Sequence, residues 1–226
     1  MYRYFVFDID GTLIDTERTG VLSLMRTVKE LLGLEMSYGE AYGYFGIPSA
    51  KVAPMLGYAD AARFGARWEE NFVELSHMMR AFDGVEEVLA AVRSAGRTTG
   101  CVTSRSRYEF SKDIHMQRLV KYFDHIVCAE DSPLHKPHPD PMLTFMRKAS
   151  GIHSSPTPAD ILTAASAAGA LVDPAECIYI GDTLHDYQCA AGAGCDFALA
   201  DWQGRGLQGI PARYHLTAVP QILDLL

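Results

Sequence analysis

No stretch of this sequence stays apolar for the roughly 20 residues that a membrane-spanning helix requires, so no membrane span is expected. The N-terminal MYRYFVFDID reaches Asp8 before a long apolar segment has formed, which argues against a secretory signal there and favours the cytosol. Positive charge is also scarce: 20 Lys and Arg stand against 28 Asp and Glu, a formal net charge of −8. A general nucleic-acid binder draws its affinity from cations that neutralise phosphates, so that class is disfavoured, although a local basic pocket is not. The five cysteines, Cys101, Cys128, Cys177, Cys189 and Cys195, are odd in number and form no CxxC pair. Neither a disulfide framework nor a zinc site is expected of them; they read as reduced and packed as small hydrophobes. His135, His138 and His185 match no zinc spacing and read as exposed loop residues.

What is present is an ordinary globular composition, 48% hydrophobic in 226 residues, enough for one large domain or a core with a smaller companion. Tyr4 to Phe7 is a short unbroken apolar run, as expected of a parallel strand covered on both faces. Val21, Leu22, Leu24, Met25, Val28, Leu31 and Leu32 then recur at helical spacing, with Asp15 or Thr16 as N-cap and Gly33 as the stop. Helix-like sequence continues to about Arg80 with no convincing strand, and the stretch from Trp68 to Phe82, rich in aromatics and methionine, reads as helical core. From Asp83 the pattern changes to strands alternating with helices: TTGCVTS, DHIVCAE, ECIYIGD and CDFALA are strand candidates, and VPQILDLL a closing helix. The expected fold is α/β, a doubly wound parallel sheet with a Rossmann-like core formed by residues 1–15 and 83–226, carrying an inserted all-helical cap at 16–82. HSSPTPA, residues 153–159, reads as a surface loop.

Ligands of such sheets sit beyond the carboxyl ends of the strands. Asp8 and Asp10, Thr103 and Ser104, and Asp182 with Asp186 all stand where strands finish, and Lys136 would enter the same crevice from a loop. Carboxylates a few ångströms apart repel by about 4 kcal/mol per pair at a surface-like dielectric, so a cation must hold them together. Oxygen donors without histidine or cysteine point to a hard ion, and a few carboxylates plus a substrate phosphate form the usual magnesium arrangement. Mg2+ is therefore the expected cofactor. Thr103 and Lys136 would hold phosphate oxygens, and Gly11 would keep side chains away and offer backbone N–H groups. Asp8 and Asp10 could instead form a solvated turn, and Asp182 and Asp186 a helix cap; a helix rather than a second strand follows Asp10-Gly11, against the hairpin.

In the order DxDGT (8–12), a strand-end Thr (103), Lys-Pro (136–137) and GDxxxD (181–186), the chain resembles the haloacid dehalogenase superfamily, in its helical-capped phosphatase group that includes phosphoglycolate phosphatases and β-phosphoglucomutases. The resemblance covers nearly the whole chain, and it implies roles. Asp8 resembles the nucleophile that forms an aspartyl-phosphate, and Asp10 the general acid and base. Gly11, Thr103, Ser104 and Lys136 match phosphate-binding positions. Magnesium would lie among Asp8, the backbone carbonyl of Asp10 and Asp182, with Asp186 behind them orienting Lys136 or a bound water. Asp10 favours phosphoester chemistry, because dehalogenases of this superfamily lack an acid there. A phosphosugar mutase is the rival; the places where similar mutases carry a histidine, a lysine and an arginine look like Gly20, Phe45 and Ser49 here, which favours transfer to water.

The expected function is thus a phosphoric monoester hydrolase acting on a small phosphorylated metabolite: phosphoglycolate, a sugar phosphate, a nucleotide or pyrophosphate. A non-catalytic module that responds to phosphate or magnesium is the alternative from another class. Tyr44, Phe45, Ile47 and Ser49 are the cap residues expected to meet the leaving group, while Arg105 and Arg107 read mainly as a solvated helix start. The separation of Lys136 from Gly181 is longer than the family usually shows; the excess falls at 151–162 and reads as a surface elaboration. No nucleic acid or membrane partner is expected, and the protein is expected to be a monomer or homodimer.

Overall fold

The computed structural model describes residues 1–44, 47, 49–151, 172–206 and 209–226, so the expected loop at 153–159 and nearly all of the segment at 151–162 lie outside the described residues. In chain order the strands are β1 (Tyr4–Phe7), β2 (Ile14–Asp15), β3 (Arg80–Ala81), β4 (Thr98–Val102), β5 (His125–Val127), β6 (Cys177–Gly181), β7 (Asp196–Ala200) and β8 (Tyr214–Leu216). The described helices are α1 (Glu17–Leu32), α2 (Tyr38–Tyr42), α3 (Ser49–Met55), α4 (Ala61–Glu74), α5 (Val85–Ser94), α6 (Arg107–Lys112), α7 (Ile114–Leu119), α8 (Asp140–Ala149) and α9 (Leu184–Gly192).

Six strands form one parallel sheet in the order β5-β4-β1-β6-β7-β8. Its residues alternate between two buried faces, as the two-residue period of a strand dictates. Phe5 and Phe7 join Cys101, Ile178 and Ile180 on one side, where Val88, Leu89 and Val92 of α5 pack. Val6 joins Val102, Val127, Tyr179 and Phe197 on the other, against Met142 and Phe145 of α8 and Cys189 and Ala190 of α9. Each such Phe, Leu or Ile contributes about 1.5–3 kcal/mol on leaving water, which is why β1 has no polar residue until it ends. All five cysteines are free and buried.

The helices α1 to α4 have a core of their own, built on Val21, Leu24, Val28, Ala41, Val52 and Phe64. Gly33 ends α1 in the left-handed conformation, φ 69°, with its N–H donating to the Lys29 carbonyl. No strand is described between Thr16 and Met79, but two short strands that were not expected stand at the ends of this region and tie both chain crossings between helices and sheet together. β2 and β3 pair antiparallel, Ile14 opposite Ala81, and the Phe82 N–H donates to the Leu13 carbonyl. Two residues per strand are too few to show periodicity. Three further differences follow from local chemistry. The helix read as starting at Arg105 and Arg107 breaks at Asp113, whose carboxylate accepts from the His115 and Met116 N–H groups and so starts α7. The closing helix is a run of 3-10 turns, Val219–Leu225, and β8 extends the sheet beyond the last strand expected.

β1 is the point at which the order of connection reverses: the chain leaves it for β4 and β5 on one side and returns to β6, β7 and β8 on the other. Phe7 stands opposite Cys101 of β4 and Ile180 of β6, so the residues that follow, Asp8, Val102-Thr103 and Gly181-Asp182, emerge at one level. That is the switch-point crevice in which open α/β sheets bind their ligands.

Candidate active site

Asp8, the first residue after β1, is 4% exposed, and Asp182, the first after β6, is 2% exposed. Between them the chain turns at Gly11, whose φ of 79° lies in the left-handed region. A β-carbon there would stand 2.1 Å from Asp182 Oδ2, so the turn and the carboxylate coexist only because residue 11 has no side chain. Gly181 serves in the same way: a β-carbon there would lie 2.7 Å from that of Asp186. Thr183 and Asp186 form the capping box that starts α9, with the Thr183 N–H donating to Asp186 Oδ2 at 3.0 Å and the Asp186 N–H to Thr183 Oγ1 at 3.1 Å. The helix start thus fixes Asp186 while leaving its Oδ1 aimed at the crevice.

Lys136 enters from the loop after β5. Its ammonium donates to Asp8 Oδ1 at 2.6 Å, Asp186 Oδ1 at 2.7 Å and the Tyr179 hydroxyl at 3.0 Å. Asp8, Asp182 and Asp186 each offer a carboxylate oxygen within 4.8 Å of the others. Burial, joined by Asp186, Asp10 and Asp182, pushes the Asp8 carboxyl well above its ordinary range against the pull of Lys136. Burial and Asp186 push Asp182 up to about 7, with Arg205 working against them. In Asp186 the burial effect is overcome by Lys136 and Thr183, and its pKa is lowered. Lys136, although buried, is held charged by Asp186 and Asp8.

The fit of this cluster to a cation rests on one atom. Asp182 Oδ1 is buried without a hydrogen-bond partner, although Oδ2 accepts from Arg205 at 2.5 Å. A buried carboxylate oxygen left bare is costly unless a cation meets it, and an all-oxygen donor set suits a hard divalent ion. The acidic group can therefore hold a metal.

Asp10 behaves differently. Its carboxylate is turned away from the other acids into the Arg105 guanidinium, which donates from Nε at 3.1 and 3.0 Å and from Nη2 at 2.9 Å. The side chain of Asp10 is thus outside the carboxylate cluster, leaving its main-chain carbonyl as the group expected to face an ion, and Asp186 completes the cluster instead. Burial would raise Asp10, but the charge and hydrogen bonds of Arg105 prevail and its pKa is lowered. The reading of Arg105 as a solvated helix start is overturned: it is 4% exposed. Its Nη1 donates to Asp113 at 2.6 Å, and its guanidinium lies 5.4 Å from the centre of the Phe72 ring on α4. Arg107, by contrast, pairs at the surface with Asp131.

A cavity of about 510 Å³ lies over these groups, floored by Asp8, Lys136 and Asp182 and roofed by α4 through Trp68, Glu69 and Phe72. Ile47, Ser49, Gly20 and Ser104 line it; Tyr44 does not, and packs half-buried against the core of the helical layer. Phe45 lies outside the described residues. Thr103 is 3% exposed and its Oγ1 accepts from the Arg105 N–H at 3.1 Å, beside the cavity rather than on its wall. His135 and His185 are exposed, as expected, yet stand at the cavity's edge. Trp68 and Phe72 belong both to the packing of α4 and to the cavity wall. Arg205, unforeseen from the sequence, comes from the loop after β7.

A family model for haloacid dehalogenase-like hydrolases matches residues 5–200. The chain belongs to that family. This haloacid dehalogenase-like hydrolase is 33% identical over 176 residues to a candidate pyrophosphatase, PpaX, of Caldanaerobacter subterraneus subsp. tengcongensis, a match spanning 72% of this chain and 76% of the relative. It is 25% identical over 199 residues to a phosphoglycolate phosphatase of Nitrosospira multiformis, over 84% of this chain and 78% of that one. Among solved structures, a candidate phosphoglycolate phosphatase from Lactobacillus plantarum shares the fold with a TM-score of 0.83 at 23% identity, across 100% of both chains. With relatives of these kinds, the hydrolase is a phosphatase. No helix among the described residues is long and apolar enough to cross a membrane.

Proposed function

We propose that the protein is a magnesium-dependent phosphatase that hydrolyses a small phosphorylated metabolite through an aspartyl-phosphate on Asp8. The observation that carries this reading is the bare Oδ1 of Asp182 within a buried group of three carboxylates. Asp8, Asp182 and the main-chain carbonyl of Asp10 would hold the ion, with Asp186 behind them. When bound, magnesium supplies positive charge that lets a phosphate dianion approach Asp8.

This chain's own residues do the rest. Lys136, a point charge with three donors, can turn one N–H from a carboxylate to a phosphoryl oxygen while Asp186 keeps it in place. Asp8 attacks phosphorus, the ester P–O bond breaks, and the leaving oxygen takes a proton from Asp10. For that donation Asp10 must first bind a proton while Arg105 keeps it oriented, although the pairing with Arg105 favours the carboxylate. In the second half, ionised Asp10 accepts a proton from water as the water attacks phosphorus and Asp8 departs. Trp68 and Phe72 on the α4 side of the cavity set apolar surface beside the reacting groups.

Transfer to water is favoured over a mutase because Gly20 and Ser49, which line the cavity, carry neither a cation to hold a second phosphate nor an acid-base group to help return the phosphoryl. A binding module would keep a long-lived phosphoryl group on Asp8, whereas an enzyme clears it, so acid-quench trapping of the phosphorylated protein separates the two. Phosphate release from a panel of phosphometabolites, with and without magnesium, tests the reading. Asp8→Asn should abolish turnover while leaving the folded state intact by circular dichroism; no release from any substrate by the unaltered protein would sink the proposal.

A further inference from the structure

The undescribed residues contain no lysine or arginine, so all 20 of the chain's permanent cations have described positions. Only two of them, Lys136 and Arg105, line the cavity above Asp8. Lys136 is shared between Asp8 and Asp186, and Arg105 between Asp10 and Asp113. The part of the cavity remote from the strand ends, where a leaving group must lie, therefore has no Lys or Arg free to meet an anion.

That part of the wall is acidic instead. Glu69 of α4 and Glu109 of α6 both line the cavity. They meet at Ser106: the Ser106 hydroxyl donates to Glu69, and the Ser106 N–H donates to Glu109 Oε2 at 2.8 Å. Trp68 and Phe72 supply the apolar surface beside them. Among the described residues, the other basic groups lining the cavity are His135 and His185, both exposed. Burial pushes the Glu109 carboxyl up to about 7 against the Ser106 N–H and Arg105, with Glu69 adding to the rise, so negative charge is already crowded here. An incoming anion would crowd it further, whereas hydroxyl groups could donate to both carboxylates.

We propose that the substrate is a phosphate monoester whose leaving group carries hydroxyls and no negative charge, selected by Glu69 and Glu109 on the cavity wall. The proposal rests on the phosphatase reading and narrows it: phosphoglycolate and pyrophosphate, whose leaving groups are anionic, are selected against. This separates the chain from the substrates in its relatives' names.

The test is a matched series of two-carbon esters with the purified full chain and magnesium. 2-Hydroxyethyl phosphate has a neutral leaving group, phosphoethanolamine a cationic one and phosphoglycolate an anionic one; pyrophosphate and p-nitrophenyl phosphate complete the set. The expected kcat/KM for 2-hydroxyethyl phosphate exceeds those for phosphoglycolate and pyrophosphate by about tenfold or more. Phosphoethanolamine below the neutral ester supports the selection for hydroxyls and assigns the leaving group to the polyols; at or above it, the wall reads charge alone and that selection is overturned. Glu69→Gln and Glu109→Gln, singly and together, should narrow the ratio of neutral to anionic ester. Preference for phosphoglycolate or pyrophosphate by the unaltered protein overturns the selection but leaves the phosphatase standing, as does a ratio unchanged in a folded double variant. Turnover of nothing in the set, p-nitrophenyl phosphate included, overturns both.

Discussion

Two buried cations in this site do the same sum in different ways. Lys136 stands between Asp8 and Asp186; Arg105 stands between Asp10 and Asp113. In each pair one aspartate faces the chemistry and the other anchors the cation from behind. The ammonium is a point charge whose donors can be re-aimed, and it also contacts the Tyr179 hydroxyl and ring. The guanidinium is a rigid fork, bidentate on Asp10 and flanked by Phe72 and Met79. The nucleophile is thus paired with a cation it can share with a phosphate, whereas the acid-base residue is paired with one that fixes its direction.

The largest expected effect comes from breaking the first pair. Lys136→Met leaves Asp8 and Asp186 buried without their counter-ion, which should cost about 3–5 kcal/mol of stability and reduce kcat/KM by on the order of a thousandfold. Urea unfolding should show magnesium restoring part of that stability, because the ion would lie among the same carboxylates. Arg105→Met should also destabilise, yet magnesium should not rescue it, since Asp10 and Asp113 lie outside the carboxylate cluster. Equal rescue of both variants would erase the distinction between the two pairs.

A second effect sharpens the role of the fork. If Arg105 orients Asp10, Arg105→Met should slow alkyl phosphates by about a hundredfold, and p-nitrophenyl phosphate, whose leaving oxygen needs no proton, far less. A uniform loss across leaving groups would reduce Arg105 to a structural role. The smallest effect concerns Glu109, which faces Glu69, Arg105 and Asp10. Its folded pKa of about 7 lies above the ordinary 4.5, so the folded state holds the proton more tightly. Stability should be greatest below pH 4.5 as far as this group is concerned and fall as pH rises through about 7. Glu109→Gln should flatten that slope and gain about 1–2 kcal/mol at pH 8 after allowance for solvent screening, measured by denaturant unfolding.

The floor of the site was legible because its residues follow strand ends at short, regular offsets: Asp8 after an apolar run, Asp182 after another, Asp186 one helical turn on. The sheet follows from unbroken apolar strands separated by helices. Arg105 was misjudged because SRSRYEF has the composition of a solvated helix start, and its anchor, Asp113, is eight residues away on the far side of α6. Only the tertiary placement of Phe72 and Met79 buries it. Arg205 sits in a glycine-flanked loop where no periodicity constrains a side chain, and Tyr44, expected to meet the leaving group, packs half-buried against the core of the helical layer. Such positions are decided by which neighbours the chain brings together rather than by local pattern.

The ribbon of β2 and β3 has a consequence for how the molecule is assembled. Because Ile14 and Ala81 are direct partners, everything from residue 16 to residue 79 begins and ends within one strand spacing. From the standpoint of the sheet, the whole helical layer is one very long hairpin loop. Closing such a loop grows costlier only logarithmically, by about 0.6 kcal/mol per doubling of length. Helices of another size could hang from the same two-residue clasp while Asp8 and Asp182 stayed where β1 and β6 leave them.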